Sequence, residues 1–352
     1  MISNQSRTKE WIMQTRKIAA GKDPILIEKM IMALTLVENL RLSRLDFIFK
    51  GGTSLTLLLG KPSRFSIDID IVLAKSQNLL PFFESVVDQG AFYRYEENRR
   101  PGELPKQHYK FFFLSVIQNK ESHILLDILF DEHPYPGLIE VNINTPLLSV
   151  EGQMTDVTCP VVECLLGDKL TAFAPNTTGI QYGLGKDIEM AKQLFDIGAL
   201  FDVAFDVDLI CKTFELTATK ELAYRGMPEL TPTDVLLDSF QTACLIGTRG
   251  AIAGGEYAEL VSGIKKLAAF VYSTTFTIDT AIVCASKVAY LAGLILKQTS
   301  RIARFQTNID ISSWIISNPE YAKLNKIKKT SPEAFFYFYR ALQLLELSED
   351  KQ

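Results

Sequence analysis

The sequence predicts an α+β protein: a mixed sheet with flanking helices, followed by an all-α C-terminal region. Three observations carry this reading. Stretches at 66–73, 108–117 and 123–130 are rich in β-branched and aromatic residues, and the first alternates apolar with polar. Apolar residues between 24 and 42 recur at steps of three and four, the period of a helix. Beyond about Cys164 the strand signals fade and helical patterning runs to residue 348. The expected domains are residues 1–160, carrying the sheet, and residues 161–352, with four to six helices after residue 185.

Taken in order, residues 6–20 and 24–42 read as helices, the second opened by Asp23-Pro24 as cap and first turn. Phe47 to Phe49 is a short strand ending at Gly51-Gly52. The Leu-rich run from Thr53 closes at Gly60, a natural helix stop. Ser66 to Leu73 is expected as a half-buried strand, with Ile67, Ile69 and Ile71 on one face and Ser66, Asp68 and Asp70 on the other. A helix over 77–90 follows. The strands at 108–117 and 123–130 are joined by a turn through Asn119-Lys120-Glu121. Residues 176–185 form a Gly/Thr-rich loop, and Ser331-Pro332-Glu333 caps a final helix.

Composition narrows the function. The chain has 352 residues, is 47% hydrophobic, and so can bury a full core. A net charge of −4 argues against a protein that coats nucleic acid without specificity, while leaving room for a local basic groove. Five scattered cysteines with no C-x-x-C pair support neither a zinc ribbon nor a redox dithiol, and read as free thiols of a reducing cytoplasm. The N-terminus lacks an apolar signal region. The most apolar stretch, 276–296, contains Asp279 and Lys287, which suit a buried helix better than a membrane span. The protein reads as soluble and cytoplasmic, with no membrane partner.

The chemistry concentrates in FKGGTSLTLLLGKPSRFSIDIDIVL, residues 49–73. On one strand face the Asp68 and Asp70 Cβ atoms stand ~7 Å apart, and two such carboxylates repel unless a cation lies between them. Oxygen-only donors are what Mg²⁺ prefers. Asp127, between aliphatic neighbours on another strand, would gain a partner by closing a metal triad with them. The bland readings are a solvated strand face for Asp68 and Asp70 and an edge-strand position for Asp127. Gly51-Gly52 lets backbone approach a phosphate, the helix behind it offers free N–H groups, and Thr53 or Ser54 adds a hydroxyl. Arg64 and Ser66 stand just before the aspartates. Arg64 fits either a phosphate ligand or a surface arginine. Downstream, GDKLTAF places Lys169 in an apolar helix, and Lys186-Asp187 opens another. Asp196 lies two and a half turns past Asp187, so the two do not share a face. The basic tract KLNKIKK (323–329) beside FFYFY (335–339) fits a base-stacking groove or, more simply, solvated lysines over core aromatics.

Together KGGTSL (50–55), RFSIDID (64–70), DKLTA (168–172) and KDIEMAKQLFDI (186–197) resemble the AbiEii-type nucleotidyltransferase toxins of abortive-infection and toxin–antitoxin systems, within the DNA polymerase β-like superfamily. The resemblance covers residues 48 to about 200. It implies that Gly51, Gly52, Thr53, Ser54, Arg64 and Ser66 bind the nucleotide, with Lys186 beside them. It implies Mg²⁺, or Mn²⁺ in its place, on Asp68, Asp70 and Asp127. Lys169 carries over as a phosphate ligand, Asp187 as a catalytic or orienting carboxylate, and the helical domain as a contributor to the active cleft. Two departures stand out: the loop 176–185 has no arginine, and Asp196 is displaced from the usual spacing. The expected activity is transfer of a nucleoside monophosphate from an NTP to an acceptor hydroxyl, foremost the 3′ end of tRNA, giving growth arrest or phage defence. A cognate antitoxin is then expected as partner. Modification of a small molecule such as an antibiotic, modification of protein, and a GTP-binding module without transfer are the competing readings.

Overall fold

The computed structural model describes every residue except 20, 100–105, 273–274 and 347–352. The chain divides into two compact units, Met1–Val161 with Phe270–Thr274, and Val162–Ala269 with Thr275–Gln352. A single cut near 160 misses the short return of 270–274 to the first unit.

The first unit begins with helices α1 (Lys9–Ile18) and α2 (Pro24–Leu42). Asp23 accepts from the Ile25 N–H at 2.9 Å and Pro24 fills the first turn, which is why α2 starts where it does. Strand β1 (Ile48–Lys50) runs directly into α3 (Gly51–Leu58), and β2 (Ile69–Leu73) follows. Then come α4 (Leu80–Asp88), β3 (Arg94–Glu97), β4 (Lys106–Ser115), β5 (Lys120–Phe130), β6 (Leu138–Asn142) and β7 (Asp156–Pro160). The seven strands form one mixed sheet in the order β3-β4-β5-β2-β1-β7-β6. β1 is antiparallel to β2 and parallel to β7, while β2 and β5 run parallel.

Helix α2 is buried at every position from Met30 to Leu40 and shares one core with Phe49, Ile69, Ile71, Leu126 and Ile128. An apolar sequence with no polar face makes a helix of this kind, covered on all sides. Its two buried carboxylates are satisfied by segments distant in sequence. Glu28 accepts from Ser115 Oγ at 2.5 Å and the Val116 N–H at 2.6 Å; Glu38 accepts from the Ile2 N–H and, at 3.1 Å, from Thr155 Oγ1.

Several expectations shift. The strand expected from Ser66 starts only at Ile69, so Asp68 precedes it, and all of β2 but Asp70 is buried rather than half of it. The β4–β5 turn sits at Val116–Asn119, with Asn119 in the left-handed region at φ 53° and Lys120 already paired with Ser115. Strands β3, β6 and β7 carry weak signals: RYEE has no apolar aliphatic residue, LIEVN is largely exposed at a sheet edge, and DVTCP alternates over only four residues before its proline.

The second unit is built from α5 (Val162–Ala172), α6 (Asp187–Val203), α7 (Val207–Tyr224), α8 (Pro232–Gly247), α9 (Tyr257–Leu267), α10 (Ile278–Leu296) and α11 (Pro332–Leu344). The apolar α10 is long enough to cross a membrane by length and composition, yet most of it is buried against α6, α8 and α11. Its Lys287 is ion-paired with Asp202 at 2.7 Å and Glu333 at 3.2 Å. The basic and aromatic tract is not a stacking groove. Phe335 to Tyr339 are all buried, and Lys328 donates to the carbonyls of Ser312 and Trp314 while lying over the Phe335 ring. All five cysteines are free.

Candidate active site

Strand pairing in the first unit builds the site from residues far apart in sequence. Lys50 on β1 stands opposite Asp70 on β2, Asp70 opposite Asp127 on β5, and Asp127 opposite His108 on β4. Paired residues on neighbouring strands share a face, and alternation sends their neighbours Phe49, Ile71 and Ile128 to the other. The core row lies with α2. The charged row lies on the opposite face. Asp127 therefore occupies an interior strand of the sheet, not an edge. His108 Nδ1 lies 2.7 Å from Asp127 Oδ1, with both side chains only partly exposed. His108 is the residue that sequence reasoning missed: strand pairing alone brings it to the carboxylates.

The glycine turn sits against this row. Gly51 has φ +79°, and a Cβ there would overlap the Asp70 carboxylate. A Cβ on Gly52 would come within 2.5 Å of Arg64 Nη2 and 2.7 Å of Ser66 Oγ. The two glycines are required because Asp70, Arg64 and Ser66 crowd the start of α3. Two motifs separated in sequence thus meet in one place. The hydroxyls expected to face a nucleotide have internal partners instead: Thr53 Oγ1 donates to the Asp68 carbonyl at 2.6 Å and Ser54 Oγ to the Gly51 carbonyl at 2.9 Å, both residues being buried. What the turn presents is backbone N–H and the positive end of α3.

Arg64 is no surface arginine. It is buried, its Nη1 donates to the Phe65 carbonyl at 3.1 Å, and its backbone bridges to Val271. Phe65 N–H donates to the Phe270 carbonyl at 2.7 Å and Tyr272 N–H to the Ser63 carbonyl at 3.0 Å. The return segment of the first unit thereby clamps the approach to Asp68.

In the second unit, Lys169 is a buried cation whose ammonium lies 2.8 Å from Asp196 Oδ2 and 3.0 Å from Gln193 Oε1. Asp196 is fully buried, so the pair ties α5 to α6. Lys186 is exposed at the start of α6. Asp187 is buried and accepts from Lys266 Nζ of α9 at 2.7 Å. Hydrogen bonds from Lys266 and then Ser262 hold the Asp187 carboxyl below its ordinary range. The two aspartates thus serve different helices, as their spacing required. An arginine does reach the loop 176–185, but from α7: Arg225 Nη2 donates to the Gly179 carbonyl at 2.8 Å. The same loop is fixed to α8 by Asp238, which accepts from Asn176 and Thr177; burial pushes its carboxyl up.

Among the described residues, no three His, Cys, Asp or Glu side chains close into a metal-holding group. The donor set nonetheless fits Mg²⁺. It consists of carboxylates in register on adjacent strands, roughly 5 Å apart at the backbone, the oxygen-only donors this cation prefers.

A glycine turn at the head of a helix, with carboxylates in register on the strands beside it, is an arrangement suited to nucleotidyl transfer. A family model for the nucleotidyl transferase AbiEii toxin of type IV toxin–antitoxin systems matches residues 35–243, more than half of the chain, and the chain belongs to that family. Among solved structures it is similar to JHP933 from Helicobacter pylori, at 16% identity and TM-score 0.44, over 85% of this chain and 97% of that one. It is also similar to a candidate nucleotidyltransferase from H. pylori, at 19% identity and TM-score 0.43, over 77% of this chain and 94% of that one. A search of curated proteins gives no match.

Proposed function

We propose that the protein transfers a nucleoside monophosphate from an NTP to an acceptor hydroxyl, the 3′ end of tRNA, and so arrests translation as the toxin of a toxin–antitoxin pair. The observation that carries the chemistry is the row Lys50, Asp70, Asp127 and His108 on one sheet face beside Gly51. In this reading Asp68, Asp70 and Asp127 hold Mg²⁺. When bound, the cation neutralises charge on the reacting phosphates. Gly51 and Gly52 bind phosphate oxygens through backbone N–H groups at the α3 terminus. Arg64, packed on Gly52 beside Ser66, holds the turn in shape and adds positive charge there. His108 fixes the Asp127 carboxylate, and Lys50 adds a cation at the head of the row. Acceleration then comes chiefly from positioning and charge neutralisation.

For the helical unit, family membership supports roles in transfer for Lys169 as phosphate ligand, Asp187 as an orienting carboxylate, and Lys186 as a nucleotide contact. The tRNA acceptor and the cognate antitoxin rest on that membership too.

The test is incubation of the purified protein with Mg²⁺, total cellular RNA and each α-³²P-labelled NTP in turn, beside Asp70→Ala. Label in a tRNA-sized band, absent with the variant, is the expected result. Label in protein or a small molecule instead would keep the chemistry and overturn the acceptor. Equal labelling by Asp70→Ala would overturn the site.

A further inference from the structure

Far along the sequence from the glycine turn and the aspartates, the second unit contains a cavity of about 820 Å³ lined by α10, the segment 299–309 and α11. Three arginines, Arg301, Arg304 and Arg340, line it, and none of its described lining residues is acidic. In a chain with net charge −4, such a concentration of cations, with no acid lining it among the described residues, has a cost in self-repulsion that a bound anion removes.

The arginines differ in how far they are already engaged. Arg304 donates Nη1 to the Phe201 carbonyl at 2.5 Å and Nη2 to the Ala204 carbonyl, with its guanidinium over the Phe201 ring. Those carbonyls end α6, so the position of Arg304 is fixed and its charge only partly offset, by the negative end of that helix. Arg340 lies over Trp314 and Phe336 and donates Nη1 to Gln343 Oε1, and it has no ion pair among the described residues. Arg301 is exposed at the rim, with no ion pair among the described residues.

The wall behind the arginines is preorganised. The Ala303 N–H donates to the Tyr290 hydroxyl at 3.0 Å and the Phe305 N–H to the Tyr337 hydroxyl at 3.1 Å, both tyrosines being buried in the helical core. Leu294, Ile309 and Leu344 supply an apolar surface next to the charges. Guanidinium forks match phosphate oxygens two at a time, and the volume lies in the range of small-ligand pockets. We infer that this cavity is a second binding site, for a phosphorylated ligand of nucleotide size, with its phosphates on Arg301, Arg304 and Arg340 and its flat apolar part on Leu294, Ile309 and Leu344. The inference uses residues of the second unit alone and does not rest on the reading of the Asp70 row.

Equilibrium dialysis of the full chain with radiolabelled ATP and GTP, in EDTA to silence metal-dependent binding, tests it. The expected result is one metal-independent equivalent per chain, kept by Asp70→Ala and weakened at least about tenfold, roughly the loss of one charge-assisted phosphate contact, by Arg301→Glu. Gln306→Glu, a second exposed lining position, should weaken it as well. Both variants change exposed side chains, and unchanged thermal melting will show that they fold. No binding by wild type in EDTA would overturn the inference, as would unaltered binding by Arg301→Glu. Binding of a short RNA oligonucleotide, lost in Arg301→Glu, with no uptake of free nucleotide would also overturn it and reassign the cavity to a phosphodiester strand.

Discussion

Asp70 stands where three demands meet: it is paired in register with Lys50 and Asp127, and its carboxylate occupies the space a Gly51 side chain would need. Asp70→Asn keeps the shape and removes the charge, so transfer should fall by about two to three orders of magnitude, the scale of losing one preorganised charge at a reacting phosphate. A thermal melt within a degree or two of wild type would accompany that loss. Gly51→Ala is predicted to fail differently. Its φ of +79° and the overlap with Asp70 should destabilise the first unit by more than about 1 kcal/mol and lower transfer as well, measured by denaturant titration and labelling. His108→Ala should leave the fold intact and reduce kcat through a misplaced Asp127, with His108→Asn restoring part of it, since an amide can still donate to Asp127 Oδ1.

Between elements, the Lys169–Asp196 pair joins α5 to α6 away from water. Removing either partner alone strands a buried charge and should cost about 3–5 kcal/mol, seen as a lower denaturant midpoint for Lys169→Met or Asp196→Asn. The double variant Lys169→Met, Asp196→Leu should recover most of that stability. If Lys169 acts on phosphate as proposed, the double variant will fold and still fail to transfer. The Asp187–Lys266 contact joins α6 to α9 and has a pH signature. Because the folded carboxyl titrates below the ordinary value of 3.8, its contribution is complete above that pH and lost as pH falls through the lower folded value. Wild type should therefore lose stability more steeply below pH 4 than Asp187→Asn, a difference that melting curves across pH 2–6 would reveal.

Over the whole molecule, the five thiols form no disulfide, and burial pushes Cys159, Cys244 and Cys284 well up, with Cys211 raised to about 11. Native protein at pH 8 should react slowly with a thiol reagent, and all five should react promptly once it is unfolded in denaturant. Fast modification of the native form would contradict the burial that raises these thiols. The transfer assay gives the other global check: EDTA should abolish labelling and Mg²⁺ restore it, while metal-independent dialysis binding in the arginine cavity persists.

Helices whose apolar residues run in helical period were legible before any coordinates: α2, α10 and α11 stand close to where periodicity and caps put them, because local propensity and burial agree there. The family motifs were legible for a related reason, since glycines that must admit neighbouring side chains leave their spacing in the sequence. Strands β3, β6 and β7 were not legible: β3 and β6 are largely solvent-facing edge strands, and β7 offers only four alternating residues before its proline. The charged row on the sheet was only half visible. Sequence located Asp68, Asp70 and Asp127 but could not find His108, nor tell that Thr53 and Ser54 spend their hydroxyls on the backbone. By itself the sequence determined the fold class, the glycine turn and the carboxylates; tertiary structure alone decided which residues face them, because strand register is set by pairing between segments distant in the chain.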